Sequence, residues 1–202
     1  SSTRILEFNG HKERVRNAVF SPDGITILTV SEDRTAKLWD GTDGRPLRSF
    51  EGGKDGVWHR EDIWAAAFSP VAPTFVTGSV DGKLLLNWRN GERPPLSLIG
   101  HGDNIRSAEF SADGRLILTS SWDRTVRLWD ASTGMALAVM PNEDIILDAT
   151  FDPSGSSIAY AIRNLVRIRP IYPSPEALIA AAKAVKPRDL SPDERRLYLL
   201  DE

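Results

Sequence analysis

The chain has 202 residues, of which 41% are hydrophobic and 26% charged, and its formal net charge is −3. This composition is typical of a soluble globular protein with a substantial core, and the slightly negative charge argues against a nucleic-acid partner, for which a basic domain is expected. The sequence contains no cysteine and no apolar run long enough to span a membrane, so we expect no disulfide, no membrane association and a cytoplasmic location.

Short strands are the predicted elements of the first fifty residues. Residues 14–20 alternate in character and lead into the turn Ser-Pro-Asp-Gly, and further strands are predicted at 25–30, 35–39 and 46–50. Such runs, separated by Gly, Pro, Asp and Asn, are typical of a β-meander. Residues 4–10 (RILEFNG) are similar to residues 47–53 (PLRSFEG), which predicts another outer strand there.

The same pattern then recurs along the chain. A phenylalanine precedes a turn at four places, Phe20, Phe68, Phe110 and Phe151, with steps of 48, 42 and 41 residues. Two segments are nearly copies of each other, SEDRTAKLWD at 31–40 and SWDRTVRLWD at 121–130, and each tryptophan follows a Gly-His pair by 28 positions. A repeat of about 40–45 residues is the length of a four-stranded propeller blade.

Repeats that open with Gly-His and close with Trp-Asp resemble the WD-repeat β-propeller family, and the resemblance covers about residues 4–172. It implies an all-β fold of about four four-stranded blades, which would be half of a larger ring. The predicted segments are an outer strand of a preceding blade (4–10), three blades (11–53, 54–100 and 101–141) and a degenerate last blade (142–172), with an insertion around 52–58. Asn87 occupies the tryptophan position of the second blade, with Trp88 one residue later, and Asn142 the histidine position of the fourth.

In this family a buried His, Ser, Asp and Trp form a hydrogen-bonded chain that holds the outer loop onto the third strand. The resemblance assigns this structural tetrad to His11, Ser31, Asp33 and Trp39, to His59, Ser79 and Asp81, and to His101, Ser121, Asp123 and Trp129. Because the set recurs in successive repeats, we interpret it as structural and not as a Ser-His-Asp triad, and we expect no enzyme activity. No cofactor motif is present and the histidines are more than 40 residues apart, so neither a cofactor nor a metal site is predicted.

Beyond residue 172 the pattern becomes helical. Ser174-Pro175 is a helix start, an apolar stripe follows, and Ser191 to Glu194 form a capping box. We therefore predict a short α-helical cap at 173–202. This tail resembles the end of bacterial multidomain signalling proteins such as STAND-type nucleotidases, caspase-like peptidases and Ser/Thr kinases.

The resemblance also implies contact positions for a protein or peptide partner on one propeller face. They are Arg14, Arg16, Glu32, Asp62, Trp64, Val80, Asn104, Arg106 and Trp122. Tryptophan and arginine are enriched in interface hot spots; alternatively, the tryptophans fill gaps between blades and the arginines are solvated. Arg163, Arg167 and Arg169 either bind a phosphate or an acidic peptide or are simply exposed on the last blade.

The function implied is a noncatalytic protein-interaction or sensor module of a larger signalling protein, whose catalytic domain would lie upstream. Four blades of this type are not expected to close a ring alone. Either further blades belong to the parent protein, or two copies complete one ring as a homodimer, with residues 4–9 pairing with the partner's fourth blade. The second arrangement would make the chain a self-assembling structural scaffold.

Overall fold

The computed structural model describes residues 5–52 and 57–172. The helical cap predicted at 173–202 and most of the insertion predicted at 52–58 lie outside these residues. The chain divides into two units, Ser1–Pro170 and Ile171–Glu202, and every described strand belongs to the first. Within the described ranges, no helix has the length and apolar character needed to cross a membrane.

Four antiparallel sheets make up the first unit, which confirms the predicted all-β class. They are β1 (Val15–Phe20), β2 (Thr26–Ser31), β3 (Ala36–Asp40) and β4 (Pro46–Phe50); β5 (Ile63–Phe68), β6 (Thr74–Ser79), β7 (Leu84–Trp88) and β8 (Leu96–Leu98); β9 (Ile105–Phe110), β10 (Leu116–Ser121), β11 (Thr125–Asp130) and β12 (Ala136–Pro141); and β13 (Ile146–Phe151), β14 (Ser157–Ile162) and β15 (Leu165–Pro170). Each sheet is a meander in chain order. We call them blades 1 to 4.

Blade 4 differs from the others because its sheet has three strands within the described residues, and β15 is the outermost of them. Residues 5–10, predicted to be the outer strand of a preceding blade, are not in a strand. A strand needs a hydrogen-bonded neighbour, and none of the described strands pairs with this segment. Its role in completing a blade therefore stays a prediction.

The core lies between successive blades. Leu28 and Leu38 of blade 1 pack with Ile63 and Phe75 of blade 2, and a second cluster joins Val76 of blade 2 to its neighbours in blade 3. The first strands β1, β5, β9 and β13 adjoin one another in that order. This stacking buries both faces of blades 2 and 3, as expected of units that cannot bury their apolar faces alone.

Each of these four first strands carries a β-bulge at its second residue. The register with the neighbouring strand shifts there, so that Arg16, Trp64, Arg106 and Leu147 have no partner residue. A bulge redirects its side chain and bends the strand locally. The four bulged residues lie at the same end of the sheets, which we call the upper face: the end at which β1, β5, β9 and β13 begin.

Candidate functional site

Blades 1 and 3 each contain a buried chain of hydrogen bonds. In blade 1 the indole N–H of Trp39 donates to the hydroxyl of Thr29 at 2.7 Å, and that hydroxyl donates to His11 Nε2 at 2.7 Å. His11 Nδ1–H then donates to Asp33 at 2.9 Å. Trp129, Thr119, His101 and Asp123 repeat the chain in blade 3, at 2.9, 2.7 and 2.7 Å.

The assignment of serines to this chain is wrong. Ser31, Ser79 and Ser121 instead donate to the main-chain carbonyls of Glu13, Glu61 and Asp103, and each accepts the N–H of the aspartate two residues later. Strand register is the physical reason: Trp39 pairs with Ile27, so its ring reaches the diagonal neighbour Thr29, whereas Ser31 ends β2 beyond that reach. No serine contacts a histidine in these three sets, so the Ser-His-Asp triad is not assembled there.

Blade 2 keeps the bridging threonine but replaces the tryptophan. Thr77 hydrogen-bonds His59 Nε2 at 2.8 Å, and the side-chain amide of Asn87 donates to Thr77 at 3.2 Å. Asn87 is only 2% exposed and pairs with Phe75, the register that Trp39 and Trp129 have in their blades. Asn87 therefore lies at the register position of the tryptophan, and its side-chain amide makes the hydrogen bond to threonine that the indole makes in blades 1 and 3. His59 Nδ1 lies 3.7 Å from Asp81, beyond hydrogen-bonding distance, and is unpartnered.

A second difference of blade 2 accompanies the replacement of its tryptophan by Asn87. Gly10 and Gly100 precede the histidines of blades 1 and 3, and a Cβ on either would lie 2.9 or 3.1 Å from the tip of Trp39 or Trp129. In blade 2 the same position is Trp58, which is buried and stacks on Phe50. The large and small residues have thus exchanged places, and Trp58, at the end of the segment where the sequence predicted an insertion, is a buried core residue.

The surroundings of these chains favour the neutral form of His59 and His101 and the ionised form of Asp33 and Asp123. Burial lowers the pKa of His59 and of His101, and outweighs the opposite effect of the neighbouring aspartates. Partial burial raises the pKa of Asp33, but hydrogen bonds from Thr35, the Lys12 N–H and His11 outweigh it and bring the pKa to about 2. The same balance, with His101 and Thr125 as donors, lowers the pKa of Asp123.

The aspartate turns also position residues on the upper face. Asp33 Oδ1 accepts the N–H and hydroxyl of Thr35, and the residue after the aspartate adopts a positive φ, 65° at Arg34 and 69° at Arg124. The main-chain N–H of the residue before each aspartate donates to the carbonyl of the residue directly before the blade's first strand, at 2.9–3.0 Å. The pairs are Glu32 with Arg14, Val80 with Asp62, and Trp122 with Asn104.

Three of the predicted contact residues meet around the indole ring of a fourth, Trp64. The guanidinium carbons of Arg16 and Arg106 lie 4.4 and 4.8 Å from the centre of the Trp64 ring, and Trp122 meets the same ring edge to face at 5.7 Å. Glu32 forms an ion pair with Arg16 and lies 3.8 Å from Arg14. We call Arg16, Glu32, Trp64, Arg106 and Trp122 the arginine–tryptophan cluster. It joins three blades, and the bulges bring its two arginines and Trp64 together.

Two further predicted contact residues are placed differently. Asn104 is 1% exposed, so its side chain is not available to a partner as predicted. Asp62 is half-buried at the place that Arg14 has in blade 1, and it forms no ion pair within the described residues. Fewer of the predicted contact residues are therefore exposed than the sequence indicated.

The cluster contains buried polar atoms without partners. Trp64 Nε1 and Arg106 Nε are inaccessible to water and make no hydrogen bond within residues 5–52 and 57–172. Arg106 also lines a cavity of about 460 Å³, to which all four first strands contribute, among them Asn17, Ala66 and Asp148. The described residues contain no group of three or more acidic, histidine or cysteine side chains that could hold a metal ion.

Two of the three arginines of blade 4 are paired within the chain. Arg167 forms hydrogen bonds with Asn142 and with both carboxylate oxygens of Glu143, at 2.6–3.0 Å, and Arg163 pairs with Asp144. This arrangement favours the interpretation of these arginines as surface residues over a phosphate site.

The bridging threonines could have been found from the sequence. Thr29, Thr77 and Thr119 each follow their histidine by 18 residues, and Thr29 and Thr119 precede their tryptophan by 10. The exchange of Trp58 and Asn87, in contrast, shows only in the structure, because it joins two positions that are adjacent only once the blade has formed.

One protein-family model and several curated proteins are similar to this chain. The family model described as "WD domain, G-beta repeat" matches residues 2–40, 44–86 and 92–130. The beta subunit of a guanine nucleotide-binding protein from Oryza sativa subsp. indica is 36% identical over 164 residues, 79% of this chain and 42% of that protein. Apoptotic protease-activating factor 1 of Mus musculus is 26% identical over 199 residues, 83% of this chain and 16% of that protein.

A third relative, the serine-threonine kinase receptor-associated protein of Homo sapiens, is 30% identical over 130 residues, 64% of this chain and 35% of that protein. The chain spans less than half the length of these curated relatives.

Proposed function

Since the chain belongs to the WD-domain, G-beta-repeat family, we propose that it is a noncatalytic protein-interaction module that docks a partner on its upper face. Family membership supports a scaffold for protein–protein interaction. The names of two relatives refer to other proteins, one as receptor-associated and one as protease-activating. In this proposal the chain is the sensor part of a larger signalling protein whose catalytic domain lies elsewhere.

The observation that carries the proposal is the arginine–tryptophan cluster. Trp122 is 37% exposed and packs on Trp64, beside two guanidinium groups. Rigid aromatic and arginine side chains are the residue types that dominate interface energies, and they lie here on a scaffold of three stacked blades. The buried tetrads hold the turns behind this face and supply stability, not chemistry.

Capture experiments test the choice of face. The chain is immobilised and used to capture proteins from a lysate of the organism that encodes it, alongside the upper-face variants Trp122→Ala and Arg16→Ala. Val71→Ala and Arg115→Ala, exposed positions in turns at the opposite end of the sheets, are the matched controls. We expect the upper-face variants to lose proteins that the controls retain; equal capture by all four variants would contradict the proposal.

A second candidate function is self-assembly, and the unequal exposure of equivalent residues favours it. Phe20 in blade 1 is 66% exposed, whereas Phe68 in blade 2 is 9% exposed and belongs to the core cluster that joins blades 1 and 2. At the far end, β15 has no pairing partner on its outer side among the described strands, and its Val166 and Ile168 are exposed. Another blade can pair with an edge strand of this kind and pack against an exposed apolar face.

In this second proposal a second copy covers both surfaces and completes one ring. Light scattering of the whole chain across a range of concentrations tests it. A dimer whose mass falls to that of one chain in a Phe20→Asp variant supports ring completion. A monomer at every concentration contradicts it and leaves further blades of a longer protein as the occupants.

A further inference from the structure

Arg106 is a half-buried cation without an anionic partner. It donates no hydrogen bond to any described residue, and no carboxylate of the described ranges lies within ion-pair distance of it. The other partly buried arginines are satisfied: Arg89 bonds Thr26 and lies 3.6 Å from Asp23, and Arg127 bonds Thr125. A buried charge is costly unless it is paired, so Arg106 is poised for an anion from outside the chain.

Its position on the strand makes Arg106 accessible to such an anion. The bulge in β9 lifts Arg106 out of the ladder, beside Trp64 and at the wall of the 460 Å³ cavity. That volume is within the range of about 300–1,000 Å³ that is usual for ligand pockets. A guanidinium carries only N–H donors, so the partner that Arg106 lacks among the described residues is an acceptor.

The other charges of the cavity indicate which acceptor fits. Glu109 and Asp148 line the same cavity, and each accepts a main-chain N–H, from Phe151 and from Ala149. These two carboxylates repel a dianion more strongly than a monoanion. One unpaired guanidinium therefore matches one carboxylate better than it matches a phosphate.

Apolar side chains flank this position on the upper face. Leu147, the bulged residue of β13, is 39% exposed, and Trp122 contacts Trp64 on the other side. An aspartate or glutamate with an apolar neighbour in the partner would thus place its carboxylate at Arg106 and its neighbour against Trp122 or Leu147. Resting on the interaction function proposed above, we propose that Arg106 is the receptor for an acidic side chain of the partner's peptide segment.

Selection from a random peptide library displayed on phage tests this proposal with the whole chain. We expect the selected peptides to be enriched in Asp or Glu next to an apolar residue. Synthetic copies should bind Arg106→Gln at least about tenfold more weakly than the unaltered chain, since a hydrogen-bonded charge pair is lost. Arg106→Lys, which keeps the charge but not the fork of donors, should also lose most of the affinity, whereas Arg115→Gln should bind normally.

Thermal unfolding of each variant ensures that only folded proteins are compared. Peptides that are not acidic but lose binding in Trp122→Ala would overturn the carboxylate proposal and leave the interaction function standing. Acidic peptides that bind Arg106→Gln as tightly as the unaltered chain would also overturn it. A phosphoserine copy that binds tenfold tighter than the glutamate peptide would identify a phosphate receptor instead, and selection of no peptide at all would count against both proposals.

Discussion

Asn87 donates a hydrogen bond to Thr77 at 3.2 Å in the place where the other two complete blades use a tryptophan. The asparagine keeps the donor but not the volume of the indole. Trp58, on the loop before the histidine, lines the same cavity of about 340 Å³ as Asn87. Blade 2 therefore keeps the hydrogen bond to the threonine, while its large aromatic side chain comes from Trp58.

This exchange predicts strong coupling between the two positions. Asn87→Trp alone should overfill the site beside Trp58 and lower the free energy of unfolding by about 1–3 kcal/mol. Trp58→Gly alone should lower it by about 3–5 kcal/mol through the cavity that it leaves. The double variant restores the arrangement of blades 1 and 3, and should lose at least about 1 kcal/mol less than the sum of the single changes.

Urea unfolding of the four proteins measures this coupling. The reverse exchange in blade 1, Gly10→Trp with Trp39→Asn, is the matched test and should show coupling of the same sign. Losses that simply add in both blades would mean that the two positions are independent.

The corrected tetrad predicts that a bridging threonine contributes more to the free energy of unfolding than the serine beside the aspartate. Thr119→Val keeps the shape of the side chain but leaves His101 Nε2 and Trp129 Nε1 without a partner, so the free energy of unfolding should fall by about 2–4 kcal/mol. Ser121→Ala removes only bonds to main-chain groups of the turn and should lower it by about 1 kcal/mol. Urea unfolding distinguishes the two, and a larger loss from Ser121→Ala would contradict the corrected tetrad.

The repeat and the family resemblance predicted the all-β blades, whereas the role of the upper face in binding a partner stays a prediction. Trp64, Trp122 and Arg106 were predicted from their places relative to the blade motifs, and the structure brings them together because every blade repeats the same bulge and turn. Ser121 was misassigned because the hydrogen-bond partner of Trp129 depends on strand register, and proximity to the aspartate in sequence does not reveal register. Asn104 was misplaced because its position relative to the blade motifs does not reveal that its side chain is buried.

The tetrads predict that stability declines in acid. The pKa values of His59 and His101 are lowered on folding, so the unfolded chain takes up their protons first as the pH falls through about 6.5, and this destabilises the fold. The pKa values of Asp33 and Asp123 are also lowered, so their contribution is present above about pH 4 and is lost below it. Stability should therefore rise steadily from about pH 3 to pH 7.

Urea midpoints across this range provide the measurement. In a His59→Gln variant the fall in stability between about pH 7 and pH 5 should be smaller, because one of the two titrating histidines is gone. A fold that becomes more stable between pH 7 and pH 5 would show that the histidines are protonated in the native state.

The exposure of blade 1 predicts how equivalent phenylalanines respond to truncation. Phe110→Ala should lower the free energy of unfolding by about 3–5 kcal/mol, because this side chain is buried in the cluster that joins blades 2 and 3. Phe20→Ala in a monomeric chain should change it by less than about 1 kcal/mol, since most of the ring already contacts water. If two copies complete a ring, Phe20 is covered by the second copy, and its truncation should then lower the unfolding midpoint more at high protein concentration than at low, because only the assembled state depends on the ring. Unfolding curves at two protein concentrations therefore distinguish an uncovered face from one that a second chain occupies.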